Sequence, residues 1–401
     1  MSTTASESAL ALSGGTPVSA RHGGKPVPFM STALEPADIE AATAVLRSGM
    51  LRAAGRCEEL ETRLGTMTGA RHMMTCANGT CALQLAYEPL LSPGDEVLVP
   101  AWSYIATVSM VVARGCVPVF VDARPDTLQI DPADAARKIT PRTRGIAATH
   151  LYGTPVDIDA VESLARSAGL KVVYDAAQAH LATYKGVGLG AFGDAVTYSF
   201  YATKNLGTGE GGAISCNQET LARAIRLLRS HGETDKYLHE SVGYNYRMND
   251  ITGAIGCSKL DRLSEQTRRR QHNADRYAGM LASINERVFG SAGTGLTPAA
   301  ITPGATSAYH LYTVLLDPAV VRCSRDEFCK ALGAEGVPTA VHYPRALPRQ
   351  PALSRWNRED CPVADSLSAR VLCLPMHHAL TDSHFALMAE AIEKVARAMR
   401  E

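Results

Sequence analysis

The sequence predicts an α/β protein: a large domain built on a mostly parallel sheet, followed by a smaller C-terminal α+β domain. Three observations carry that expectation. Strand-like and helix-like runs alternate from Glu96 to Tyr174 in the rhythm of strand, crossover helix, strand. Two apolar runs, Lys171–Tyr174 and Ala195–Tyr201, lead into Asp175 and into a loop dense in glycine and threonine, as strands ending at a ligand crevice do. From Ser291 the composition shifts to a Gly/Pro/Thr/Ala loop, and a differently patterned segment follows it. A chain of 401 residues is also too long for one compact core.

Met1–Ala20 is rich in Ser, Thr and Ala and has no charged stretch followed by an apolar core. Residues 1–25 therefore read as a disordered leader and not a signal peptide. Pro36–Ser48 sets Ile39, Ala42, Val45 and Leu46 on one helical face and stops at Gly49. An irregular link, residues 51–57, precedes a helical Glu58–Leu64. Within Cys76–Ala86, Gly79 and Thr80 stand at a helix N-terminus, where free N–H groups and the helix dipole favour an anion such as a phosphate; an ordinary N-cap is the bland alternative.

The alternating region gives strands at Glu96–Val99, Val117–Val121, Gly145–Leu151 and Lys171–Tyr174, with helices at Ser103–Arg114, Asp131–Ile139 and Asp157–Ala168. Trp102 and Tyr104 lie just past a strand end and can face the same crevice, with core packing the rival reading for Trp102. Gly211–Cys216 is a further strand. Asn217 is expected to cap a helix Thr220–Ser230 with an apolar stripe of Leu221, Ile225 and Leu228, while Arg223, Arg226 and Arg229 form a solvated face. Asn249–Leu263 is helical and runs into the polar Ser264–Arg276, the start of a long helix joining the lobes. The large domain is thus 26–263 and the smaller one 264–401. The smaller domain has a loop at Ser291–Ser307 and a strand at Ala308–Leu316. A helix opens at Ser324 with Glu327 as a capping box, extended runs follow at Val337–His342 and Val371–Leu374, and Thr381 caps a closing helix.

Composition excludes several classes of function. Forty basic residues balance forty acidic ones, so there is no electrostatic footprint for nucleic acid and no polyacidic tail. Hydrophobic residues make up 46% of the chain and charged ones 20%, an ordinary globular balance, and no apolar run is long enough for a membrane span. A cytoplasmic location is expected. The 10 cysteines are scattered without a Cys-x-x-Cys pair and read as buried free thiols, and the histidines at 231, 310, 342, 377 and 378 are not spaced as metal ligands.

The chemistry centres on Lys204. A lysine whose pKa is lowered by burial becomes a nucleophile suited to Schiff-base formation with an aldehyde, although most lysines are simply solvated. Asp175, at the end of an apolar strand, is placed to pair with a protonated pyridine nitrogen. Asp175-Ala-Ala-Gln-Ala-His-Leu-Ala and Ser199-Phe-Tyr-Ala-Thr-Lys-Asn-Leu-Gly-Thr-Gly-Glu-Gly-Gly-Ala213 resemble the motifs of the DegT/DnrJ/StrS family of pyridoxal-phosphate sugar aminotransferases. Further family-like pieces stand in order at Asn78-Gly-Thr-Cys-Ala-Leu, Pro93-Gly-Asp-Glu-Val, His150-Leu-Tyr-Gly and Gly243-Tyr-Asn-Tyr-Arg-Met, so the resemblance covers the chain from about Pro28 onward.

The resemblance implies a fold-type I pyridoxal 5′-phosphate enzyme. Lys204 would hold the cofactor as a Schiff base and later move a proton, Asp175 would keep the pyridine nitrogen protonated, and Gln178 would contact the ring hydroxyl. Tyr104 would stack on the ring. Gly79, Thr80 and Ser199 would hold the phosphate, joined by Asn245 from the partner subunit of a homodimer with shared active sites. The implied reaction moves an amino group from an amino acid, glutamate in many family members, to a keto group of a nucleotide-linked keto-deoxysugar. A keto-cyclitol acceptor, another pyridoxal-phosphate activity such as β-elimination, and a non-catalytic regulatory protein are the alternatives. Lysine at position 204, where the family's dehydratases carry histidine, favours transamination. Gly207 stands where threonine is usual and Leu181 where glycine is usual, and the smaller lobe matches loosely.

Overall fold

Seven strands form the central sheet of the computed structural model, which describes residues 9–290, 293–358 and 360–400. They are β1 (His72–Cys76), β2 (Glu96–Pro100), β3 (Val117–Val121), β4 (Thr143–Thr149), β5 (Lys171–Asp175), β6 (Ala195–Ser199) and β7 (Gly212–Cys216), in the spatial order β1-β7-β6-β5-β4-β2-β3. The pairs β2–β3, β2–β4, β4–β5 and β5–β6 are parallel, while β7 runs antiparallel to both its neighbours. The reason is local. Only residues 200–211 connect β6 to β7, too few for a crossover helix, so the chain turns straight back.

Both faces of this sheet are dry, which is why its strands read as continuous apolar runs. Val97, Val99, Val173 and Ile214 point into one core with Tyr87, Trp102 and Phe120, whereas Leu98, Val172, Tyr174, Val196 and Ala213 alternate with them into a second core with Leu60 and Leu64. Helices α1 (Pro36–Ser48), α2 (Gly55–Thr68), α3 (Gly79–Leu90), α4 (Ala106–Ala113), α5 (Pro132–Arg137), α6 (Ile158–Ala168) and α7 (Glu219–Arg229) accompany the sheet.

Helix α8 (Asp250–Val288) is a single element of 39 residues, about 58 Å long at 1.5 Å per residue, capped by the Asn249 side chain on the Thr252 N–H. Its first half packs Cys257, Leu260 and Leu263 against the sheet, and its second half packs Ala274, Tyr277, Leu281 and Ile284 into a third core. The expected division at 263/264 falls inside this unbroken helix. The third core belongs to a three-stranded antiparallel sheet, β8 (Leu296–Pro298), β9 (Tyr312–Leu316) and β10 (Val371–Leu374) in the order β8-β9-β10, with α9 (Arg325–Glu335) and α11 (Asp382–Arg400) against it. The Ser324–Glu327 capping box is present as expected. Helix α10 (Pro362–Arg370) precedes β10.

Several expectations are corrected. Of the disordered leader 1–25, residues 1–8 lie outside the described residues. Residues 9–25 are ordered: Val18 is fully buried in the third core, and the buried Glu335 accepts the N–H groups of Ala11 and Val18 at 2.8 and 2.9 Å. An apolar anchor and a carboxylate on distant α9 hold the segment, a partnership that local composition does not encode. Ile39 and Leu46 of α1 are exposed, each at 55%, and the face turned inward instead buries Asp38 on Arg262 and Ser258 of α8. Gln218, not Asn217, precedes α7; Asn217 instead accepts the Arg71 N–H and donates to the Gly190 carbonyl. Arg229 is not solvated but bonds Glu61 and the Thr75 carbonyl, each at 2.8 Å. Residues 337–342 form no strand beyond a bridge of Ala340 to Cys373. The loop expected from Ser291 contains β8 and a short strand Ala305–Thr306, residues 291 and 292 lying outside the described set. Among the described residues no helix is long and apolar enough to cross a membrane, and no group of side chains is arranged to hold a metal ion.

Candidate active site

The ends of β1, β4, β5 and β6 and the start of β7 meet on one edge of the sheet, because parallel strands deliver their C-terminal ends together. A cavity of about 930 Å³ opens there. It is lined by Gly79, Thr80, Tyr104, Asp175, Gln178, Ser199 and Lys204, seven of the eight residues that the sequence pointed to.

Asp175 closes β5 and is buried. Its carboxylate accepts the Thr107 hydroxyl at 2.7 Å and the Ala177 N–H at 3.0 Å. Burial raises its pKa above the usual carboxylate value, opposed by these two donors and by the charge of Lys204. Lys204 sits in the loop between β6 and β7. That loop is pinned where Thr208 N–H donates to Phe200 O at 2.8 Å, Phe200 N–H donates to Gly211 O at 2.7 Å and Tyr201 bridges Gly209. The Lys204 amine has no hydrogen-bond or ion-pair partner among the described residues, and burial lowers its pKa to about 8, with the Asp175 charge pulling the other way. At that pKa about a tenth of the amine is neutral at pH 7, far more than at the ordinary lysine value, which makes it a nucleophile and a base.

At the other end of the cavity, Asn78 caps α3 by accepting the Cys81 N–H at 2.9 Å, which leaves the N–H groups of Gly79 and Thr80 without intrahelical acceptors. Asn78 is the cap, and the two residues after it carry free donors. A Cβ on Gly79 would lie 2.8 Å from the Cβ of Ser199, so glycine is what lets helix and strand end approach closely enough for a shared anion cradle. The donor set suits pyridoxal phosphate: backbone N–H groups and a hydroxyl for the phosphate, a carboxylate for the ring nitrogen and an unpaired amine for the aldehyde.

Tyr104 is 57% exposed at the cavity mouth, whereas Trp102 is buried and donates its indole N–H to the Tyr152 hydroxyl at 2.8 Å, which decides its reading in favour of the core. Asn245 is exposed, does not line the cavity and bridges Ser230, while its neighbour Tyr246 does line it and donates to Gln84 at 2.9 Å. Sequence reasoning missed Thr107, and it missed the small-lobe residues His310, His342 and Tyr343 that complete the wall. His180, His310 and His342 all have pKa values lowered first by burial and then by the Lys204 charge, so their neutral forms are favoured. The His-Tyr-Pro run at 342–344 was the one available signal, an aromatic and an imidazole just ahead of a proline.

Residues 33–393 match the DegT/DnrJ/EryC1/StrS aminotransferase family. The UDP-2-acetamido-2-deoxy-3-oxo-D-glucuronate aminotransferase of Pseudomonas aeruginosa is 37% identical over 350 residues, covering 87% of this chain and 93% of its own length. The dTDP-3-amino-3,4,6-trideoxy-alpha-D-glucose transaminase of Streptomyces venezuelae is 37% identical over 345 residues, 85% of this chain and 87% of its own. Among solved structures, DesI in the presence of its TDP-sugar product superposes with a TM-score of 0.88 at 29% identity, covering 98% of each chain.

Proposed function

This chain belongs to the DegT/DnrJ/EryC1/StrS aminotransferase family, whose members depend on pyridoxal 5′-phosphate, and from that premise we propose that it transfers an amino group from an amino acid, L-glutamate in the first instance, to the keto carbon of a nucleotide-linked keto-deoxysugar. Such a step belongs to amino-sugar or secondary-metabolite biosynthesis. The observation that carries the proposal is a single cavity of about 930 Å³ with Lys204 and Asp175 on its floor. That volume lies at the upper end of ligand pockets and has room for a second large molecule above the cofactor.

When bound, pyridoxal phosphate supplies an aldehyde that accepts the amino group and a ring that withdraws electrons from the neighbouring carbon. The chain's own residues do the rest. Asp175 holds a proton on the ring nitrogen through opposite charge in a buried setting, where charge pairing is strong. Lys204 would anchor the cofactor through its amine, and with its pKa lowered by burial it would also serve as the base that moves a proton between neighbouring carbons. Gly79, Thr80 and Ser199 fix the phosphate, and several neutral donors converging on a dianion hold it more firmly than any one of them. Tyr104, at the cavity mouth, would stack on the ring.

The remaining phosphate contact comes from a second subunit in this reading. Asn245 is exposed outside its own cavity, and the nearby segment presents Tyr237, Leu238 and Val242 at 82%, 60% and 91% exposure, an apolar surface suited to a second copy. Co-expression of Lys204→Ala with Asn245→Asp chains tests the shared site. Each variant alone is expected to be nearly inactive, and confirmed mixed dimers regain up to half of wild-type activity if one sound site forms from two chains; mixed dimers that stay inactive refute the arrangement. Acceptor class is tested separately by competition. Nucleoside diphosphates are expected to inhibit at millimolar levels, whereas ready amination of an inosose without such inhibition would replace the sugar nucleotide by a keto-cyclitol.

A further inference from the structure

Gln178 is held from both lobes. Its side-chain Oε1 accepts the backbone N–H of Tyr152 at 2.7 Å, and its Nε2 donates one hydrogen to the Tyr343 hydroxyl at 3.2 Å. The amide is planar and its nitrogen carries two hydrogens, so fixing the oxygen and one N–H also fixes the direction of the second N–H, which has no acceptor among the described residues. Gln178 is buried and lines the cavity beside Asp175 and Lys204.

Tyr343 is itself held in register. The Trp102 indole donates to the Tyr152 hydroxyl, and that hydroxyl donates to the carbonyl of His342, the residue just before Tyr343. Trp102 and Tyr104 both lie with ring centroids 6.2 Å from the Tyr343 ring. Tyr152 therefore binds Gln178 through its backbone and the Tyr343 segment through its side chain, closing a loop of hydrogen bonds across the lobe boundary. Buried networks of this kind specify one arrangement because an unmade bond is costly there.

We propose that Tyr343 is a positioning residue: with Tyr152 it locks the Gln178 amide so that the free Nε2–H faces the hydroxyl oxygen of the cofactor ring. The proposal rests on the cofactor reading above. A donor on that oxygen favours the form in which the oxygen carries uncompensated negative charge, that is, the form in which the lysine–cofactor link has lost its proton. Weakening the donor holds the proton to higher pH.

The test is a pH titration of the visible absorbance of purified holoenzyme, which reads that proton directly and not turnover. Tyr343→Phe removes one oxygen and keeps the ring, and it is expected to raise the midpoint by up to about one pH unit, the scale of one neutral hydrogen bond. Gln178→Leu is expected to raise it at least as far, and the double variant no further than Gln178→Leu alone, because residues acting through one contact are not additive. An unchanged midpoint in Tyr343→Phe overturns the proposal, as do shifts that add, since additivity means the tyrosine's own proton reaches the ring. Wild-type protein that never develops the visible band would instead sink the cofactor reading itself, so the two failures are distinct.

Discussion

The large-lobe and small-lobe walls of the cavity are built on different principles. Asp175, Gln178, Ser199 and Lys204 stand within thirty residues of one another, at the ends of β5 and β6 or in the loop that follows, and the sheet's backbone ladder sets their spacing. His310, His342 and Tyr343 come from loops of the smaller lobe and are set by side-chain contacts that cross the lobe boundary, such as Asn205 with His310 and Tyr152 with the His342 carbonyl. The difference teaches that the first wall is set by the backbone of the sheet and holds Asp175 and Lys204, while the second is set by side-chain contacts across the lobes and holds imidazoles whose pKa values burial lowers.

The largest expected effect breaks the first wall. Lys204→Ala should abolish covalent capture of the cofactor on borohydride reduction and lower turnover by about 10²–10⁴-fold through lost proton transfer alone; a variant that is still labelled would transfer the anchoring role to another lysine. Next comes Asp175→Asn, which should bind cofactor but transaminate at least about tenfold more slowly. The same change sharpens the electrostatic account. Burial lowers the Lys204 pKa to about 8 and the Asp175 charge raises it, so removing that charge leaves burial unopposed. The rate at which cofactor-free enzyme recaptures pyridoxal phosphate depends on the neutral amine. Its pH midpoint should therefore fall below the wild-type value in Asp175→Asn, and an upward shift would contradict the assigned cause.

The smallest expected effect lies on the second wall. Tyr152→Phe removes the link to His342 and leaves the buried Trp102 indole N–H without an acceptor. Thermal unfolding should show a loss of about 1–3 kcal/mol, the cost of an unmet buried donor, with turnover reduced far less than in Asp175→Asn. A Tyr152→Phe enzyme as impaired as Asp175→Asn would mean that the neutral wall also carries charge-dependent chemistry.

This contrast also explains what the sequence could reveal. Asp175 and Lys204 were legible because a continuous apolar run announces a buried strand, and the residue that ends it or the glycine-rich loop that follows has a known place, at the sheet's C-terminal edge. Tyr343 was not, since its position depends on Tyr152 and Gln178, 191 and 165 residues away in the chain, and no local pattern encodes such contacts. The failure at residues 9–25 has the same origin: their partner is Glu335. Ile39 and Leu46 failed for another reason. Periodicity reports an apolar face but not what covers it, and here Val45 of that face is buried while Ile39 and Leu46 point outward.

The place of β1 has a consequence for how a cell makes this enzyme. Strand β1 joins the sheet only through β7, and Cys76 pairs with Gly212. At about 5–20 residues per second, translation delivers that partner roughly 7–27 s after Cys76 itself has been added. The inner strands β2, β4 and β5 have their mutual neighbours by Asp175, so they can associate earlier. Through that interval Met73, Met74 and Cys76, all buried in the finished protein, belong to an unpaired apolar segment, which makes the start of the phosphate cradle the stretch of the nascent chain most in need of a chaperone.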